Sequence, residues 1–366
     1  MKHSILARIT ISILIIVGIT SCTETTPVFH ADGSPARLSQ WNQLALQGTV
    51  LTPNESTEVY LPANQLFTDY AHKLRTLWMP TGKSATLIDE EIVYPVGTVL
   101  TKTFYYPKDQ NGKLIKVVDK TPQEVDTQNN QLIETRVLVK RETGWDALPY
   151  VWNDEQTEAF LRVAGASKAI SLTTKTGPNL DFIYFVPNGN QCSGCHVTSH
   201  PDGGMRPLGA VAKQLHAKLS STDSDLQSEM LVANGWLDQT LDQPATDAWR
   251  DALLDTESRA VAYLNMHCGH CHNPDGAADT SALLLDGSHT SPVGRGICKP
   301  PIAAGGGTGN LKYGIVPGAP EQSILLFRMA SDKPDEMMPE LGRSLVHQEG
   351  LTLLRDWIGS LSGDCG

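Results

Sequence analysis

Two pentapeptides in this 366-residue chain combine residue types at a chemically specific spacing: Cys192-Ser193-Gly194-Cys195-His196 and Cys268-Gly269-His270-Cys271-His272. Both read C-x-x-C-H, the pattern for covalent haem attachment. Two thiols three positions apart can form thioethers with the two vinyl groups on one haem edge. The histidine that follows each pair, His196 or His272, can then supply an axial nitrogen to the iron. The residues therefore call for two c-type haems and two iron centres.

Two other chemistries use similar spacing. Cys268-Gly269-His270-Cys271 also matches a dithiol redox tetrapeptide, in which the first cysteine opens a helix after a strand. Here a helical pattern leads into the motif instead, and the first motif lacks that tetrapeptide's composition. A four-cysteine zinc site would have to join pairs 72 residues apart, and it leaves the histidine after each pair unexplained. For the first haem the sixth-ligand candidates are His200, Met205, His216 and Met230. Met205 is the first choice, nine residues beyond His196 in a Gly-rich loop, and an open or water-ligated iron is the alternative.

The elements that must position these residues differ along the chain. Residues 38–187 carry strand signals, β-branched and aromatic runs between Gly, Pro and Asn turns. They cover 58–61, 74–79, 96–106, 131–140, 169–173 and 181–186, and they predict a β-sandwich-like module or a small barrel. Trp145, Tyr150 and Trp152 read as core or interface packing. Asn153 or Asp154 predicts the cap of a helix over 155–164. From residue 188 helical patterns dominate: 208–219, 225–232, a helix from about 256 into the second motif, 322–329 and 346–361. A Gly- and Pro-rich loop spans 285–320. The expected organisation is an α+β multidomain chain: signal 1–22, tether 23–37, β-rich module 38–187, first haem segment 188–249, and a mostly α-helical second haem domain 250–366.

The N-terminus predicts export. Lys2 and Arg8 precede an apolar run from Ile9 to Ile19, too short for the roughly 20 residues that span a bilayer. Ile19-Thr20-Ser21-Cys22 has the form of a lipoprotein cleavage site, with Cys22 as the lipid anchor. Thr23, where an aspartate would mark inner-membrane retention, favours an outer-membrane anchor facing the periplasm. Of seven cysteines, one is then assigned to lipid and four to haem. Cys298 and Cys365 remain, expected as a disulfide in an oxidising compartment, with two isolated buried thiols as the alternative. A net charge of −11 argues against nucleic acid and against a polybasic membrane patch. The membrane is expected to be met through the lipid anchor alone.

Residues 250–366 resemble a class I cytochrome c domain. The resemblance rests on a helix ending in C-x-x-C-H, a C-terminal helix that would cross it, and a methionine before that helix. It implies Met338, 66 residues after His272 and directly before Pro339, as the distal ligand of the second haem, with Met337 as the neighbouring alternative. It also suggests Tyr263 and Trp357 as the aromatic contact at the helix crossing. A thioether opposite an imidazole raises the reduction potential and closes the iron to substrate.

From about Tyr94 onward the chain resembles a family of bacterial dihaem c-type cytochrome lipoproteins. The residues that carry this are Tyr94-Pro95-Val96-Gly97-Thr98, Gly144-Trp145, Tyr150-Val151-Trp152-Asn153, both haem motifs, Ile297-Cys298-Lys299-Pro300-Pro301 and Met338-Pro339-Glu340-Leu341-Gly342-Arg343. The resemblance implies electron transfer between redox partner proteins, with no catalytic residue. The enzyme alternative is a dihaem peroxidase-like protein whose first haem is open. A third class is a binding module in which the β domain recognises a partner.

Overall fold

The computed structural model describes residues 26–118, 122–220, 223–302 and 304–366. The expected signal segment and Cys22 lie outside the described residues. In chain order the strands are β1 (Leu44–Gln47), β2 (Val50–Pro53), β3 (Glu58–Val59), β4 (His72–Trp78), β5 (Thr86–Ile88), β6 (Glu91–Val93), β7 (Val99–Pro107), β8 (Val125–Asp126), β9 (Asn130–Arg141), β10 (Gly144–Trp152), β11 (Ala159–Leu161), β12 (Ala166–Leu172) and β13 (Leu180–Val186). The helices are α1 (Gly189–His196), α2 (Ala212–Leu215), α3 (Gln227–Ala233), α4 (Thr256–Leu264), α5 (Ile324–Ala330) and α6 (Gln348–Ser360).

A six-stranded antiparallel sheet, in the order β11-β10-β9-β7-β4-β3, is the frame. Its strands alternate, and each face buries a different set of side chains. Leu74, Val99, Val137, Val139, Tyr150 and Trp152 point one way, into a core shared with Trp41 and with Leu51 and Val125 of the β1-β2-β8 sheet. On the other face Leu77, Leu100 and Leu138 pack beneath Leu215, Leu231 and Leu237. Further along it Phe104, Ile133 and Val151 meet the β12-β13 hairpin through Ile170, Leu172 and Tyr184. With both faces covered, all of β4 is buried, its lysine and arginine included.

The structure overturns the expectation of a β-sandwich-like module followed by a mostly α-helical cytochrome region. Regular structure is dominated by four sheets, one large and three small. Among the described residues from 188 on, only short helices occur, the longest of 13 residues, and turns and irregular chain fill most of the length. The cause is local: Gly and Pro punctuate 201–209 and 292–320, where proline removes a helix donor and glycine loses more backbone entropy on becoming helical. The helix expected over 155–164 is also absent. The Asn153 side chain accepts from the Thr157 and Glu158 amides at 2.9 and 3.2 Å, closing a turn, and the chain then pairs with β10 as β11. The helix expected over 208–219 shrinks to α2.

A second core gathers Trp249, Tyr263, Leu264, Leu285, Leu351, Leu354, Trp357 and Ile358 where α4 and α6 cross. The aromatic contact expected between Tyr263 and Trp357 takes another form. Tyr263 lies against Gly350 of α6, where an added Cβ would overlap its hydroxyl, and it stacks on His267 at 3.9 Å. Cys298 and Cys365 are joined by a disulfide that ties the C-terminus to the 285–320 loop.

Asp69 links the sheet to the chain before α6. Its carboxylate accepts from the Ser344 amide at 2.8 Å and the Leu345 amide at 2.7 Å, while the Tyr106 hydroxyl donates to its carbonyl. Burial outweighs those donors and raises the carboxyl to about 6.

Two measurements test this packing. Gly350→Ala should lower stability in chemical denaturation, because overpacking costs about 1–3 kcal/mol and helix propensity returns only about 1 kcal/mol. A rise in stability would mean that the crossing is looser than described. A carboxyl with a raised native pKa is destabilising once ionised, so stability should fall as pH rises from the ordinary aspartate range through about 6. The loss should reach about 3 kcal/mol at most. Asp69→Asn should flatten that slope, and an unchanged slope in the variant would place its origin elsewhere.

Candidate haem-attachment site

The first motif occupies one short helix. Asn188 caps α1 by accepting from the Gln191 amide at 2.9 Å, and Gln191 returns the bond to the Asn188 amide at 3.0 Å. This reciprocal cap fixes where the helix begins, and α1 lies beside β10. The helix ends at His196. Beyond it the chain loops back, pairing Val197 with Met205, so that Arg206 donates its amide to the His196 carbonyl at 2.8 Å. In return His196 Nδ1 donates to the Arg206 carbonyl at 2.6 Å. That bond selects the tautomer whose Nε2 carries the free lone pair, the arrangement of a metal-binding imidazole. Burial pushes His196 down to about 4, so the ring is neutral at pH 7.

The second motif follows α4 through a wide π-type turn, Asn265–Gly269. Such turns commonly interrupt helices where side chains must be re-aimed. Gly269 leaves room for the backbone of Asp286, which an added Cβ would strike. His272 accepts the Leu285 amide at its carbonyl, at 2.8 Å, and burial lowers its ring to about 4.

The fold brings the two motifs together. Cys195, His270 and Cys271 place their sulfur and nitrogen atoms within 4.8 Å of one another, and the Cys271 thiol points at the Gly194 carbonyl at 3.5 Å. A hydrogen bond between the two thiols holds Cys195 below and Cys271 above the usual thiol range. Cys192 and Cys268 are pushed up by burial, Cys268 to about 12.

All four cysteines, His196, His272 and Met338 line one cavity of about 460 Å³. That volume lies within the roughly 300–1,000 Å³ typical of small-molecule and cofactor sites. Met337 is buried but does not line the cavity. The candidates for a sixth ligand to the first iron are all elsewhere. Met205 packs against the core around Leu77 and Leu215, and Met230 faces solvent. His200 lies 3.9 Å from Asp279. His216 uses both ring nitrogens, at 2.9 Å to Ser228 and 2.8 Å to the Gln243 carbonyl.

Several cavity residues escaped the sequence reading. Met266 and Met329 supply thioethers to its wall, and Arg75, Lys102 and Arg136 enter from the large sheet. The methionines carry no local signal, since core packing is the ordinary role of that residue. Lys102 does carry one: it shares a strand face with Leu100 and Phe104, so a charge falls in an apolar row. His267 and His347 also line the cavity but are engaged. His267 accepts from the Phe67 amide at 3.1 Å, and the Tyr263 hydroxyl bonds His347 at 3.0 Å.

No protein-family model, curated protein or solved structure matches this chain.

The donor chemistry fits covalent haem. Each cysteine pair and the histidine after it open on the same cavity, and the His196 ring is hydrogen-bonded so as to present Nε2. Cys195, His270 and Cys271 also make a three-donor cluster able to hold a zinc-like ion.

Proposed function

We propose that this chain is an exported dihaem electron carrier of the c-cytochrome type, held to the membrane by lipid on Cys22 and facing the periplasm, that passes electrons between redox partner proteins. The supporting observation is that two C-x-x-C-H motifs, 76 positions apart in sequence, converge on one cavity with Cys195 beside Cys271. When bound, c-type haems supply one-electron redox chemistry. The residues' part is to attach, orient and shield. Cys192 with Cys195, and Cys268 with Cys271, would form the thioethers, and His196 and His272 would each offer an imidazole nitrogen to an iron. Met338 is the thioether assigned to the second iron, because it lines the cavity where Met337 does not. Two groups held at Cys195 and Cys271 would share one cavity, which suits transfer between them rather than two separate reactions.

The site favours a carrier over a peroxidase-like enzyme, since Met266, Met329 and Met338 all wall the cavity as soft donors able to close an axial position. A second reading has a specific observation behind it: the Cys195-His270-Cys271 cluster could hold a metal ion in a chain without haem.

Met338→Ala should abolish the far-red methionine-to-iron charge-transfer band of one haem, while both haems stay covalently attached. Persistence of the full band would remove Met338 as a ligand. Spectra unchanged by peroxide, cyanide or carbon monoxide are expected of the wild type, and a high-spin component that binds them would favour the enzyme.

A further inference from the structure

The chain that follows the first motif offers its iron no axial partner. Met205, Met230, His200 and His216 all lie away from the cavity wall. The wall does carry an imidazole that comes from the other motif. His270 stands between Cys268 and Cys271, lines the cavity, and places a ring nitrogen within 4.8 Å of the sulfurs of Cys195 and Cys271.

The ring is held in the form that binds a metal. His270 Nδ1 donates to the Met266 carbonyl at 3.2 Å, four residues back through the π-type turn. That bond leaves the lone pair on Nε2. The ring also shares a hydrogen bond with the Cys195 thiol. A thioether carries no S–H, so attachment at Cys195 would strip the ring of that partner and free its lone pair within the wall. His270 cannot serve the haem of its own motif. Cys268 and Cys271 would both bind one edge of that macrocycle and His272 its proximal face, so the short span between them has no route to the far side. The other imidazoles of the wall are taken. His267 donates to the Tyr263 carbonyl at 2.8 Å and accepts from the Phe67 amide at 3.1 Å, and the Tyr263 hydroxyl holds His347 at 3.0 Å. Met329 belongs to the second core, where α4 and α6 cross, which leaves Met266 as the rival.

We infer that His270 Nε2 is the sixth ligand to the iron of a haem attached at Cys192 and Cys195, opposite His196. The inference rests on the reading of this cavity as a haem site. The second motif then serves both irons: it attaches its own haem and closes its neighbour's. An imidazole opposite an imidazole sets a lower reduction potential than a methionine opposite an imidazole. His270 and Met338 thereby set the two sites apart, and the downhill direction for electrons runs from the His196 site to the His272 site. His270 also fills the axial position that a peroxidase-like enzyme would keep open.

The test compares the full-length holoprotein with His270→Ala and Met266→Leu by near-infrared magnetic circular dichroism, carbon monoxide binding and redox titration. The wild type should show one bis-imidazole charge-transfer band and one methionine band, with neither haem binding carbon monoxide. His270→Ala should lose the bis-imidazole band, gain one haem that binds carbon monoxide, and keep the methionine band. Added imidazole should restore the lost band, and Met266→Leu should leave both bands in place. If His270→Ala does not accumulate, His270→Met gives the same reading: the bis-imidazole band gives way to a second methionine band, and the lower midpoint rises. A bis-imidazole band that survives the loss of His270 would overturn the inference while leaving the haem reading intact. Two methionine bands in the wild type, one of them lost in Met266→Leu, would assign the position to Met266 and overturn it equally. So would a wild-type haem that already binds carbon monoxide. Purified wild-type chain without covalent haem would overturn both.

Discussion

The contact on which the structure depends is the approach of Cys195 to Cys271. It joins the end of a capped eight-residue helix to the residues just after a π-type turn that closes a different helix, and each is delivered by its own scaffold. On one side the reciprocal Asn188–Gln191 cap sets where α1 begins beside β10, and the Arg206 carbonyl fixes the ring of its last residue. On the other side the fit of Tyr263 against Gly350 sets how α4 crosses α6, and therefore where the turn after α4 points. Asp69 joins the two scaffolds through the backbone of Ser344 and Leu345. A shift in any of these would move one sulfur relative to the other.

The second constraint is electrostatic. A sheet covered on both faces normally excludes charge, because desolvating an ion costs more than most single contacts return. Here one buried face carries Lys73, Arg75, Lys102, Glu134 and Arg136. The apolar core on the opposite face holds the sheet together without their help.

Much of this could be read from the residues, and the parts that could not have identifiable causes. The main strands show period-2 alternation, and the two motifs declare themselves by spacing alone. Alternation misleads in one respect: Glu134 and Arg136 look like the solvated side of β9, yet Glu134 is fully buried, because the β12-β13 hairpin covers that face and its Tyr184 hydroxyl donates to the carboxylate. Helical patterns beyond residue 188 overstated the helix content, since short apolar runs between glycines and prolines satisfy the same periodicity as real helices. The placement of Met205 could not be read at all. Its position nine residues after His196 fits a loop that crosses to the iron, and it fits equally the return strand that the fold builds with Val197.

The most direct measurement of the central claim is the intact mass of the chain purified from an exporting, haem-loading host, alone and with one motif's cysteines replaced by serine. The account predicts a wild-type mass raised by two haems that survive denaturation. It predicts one haem for Cys192→Ser with Cys195→Ser, and one for Cys268→Ser with Cys271→Ser. An unmodified polypeptide mass, with zinc or another ion held under native conditions and lost on replacing Cys195 or Cys271, would contradict it.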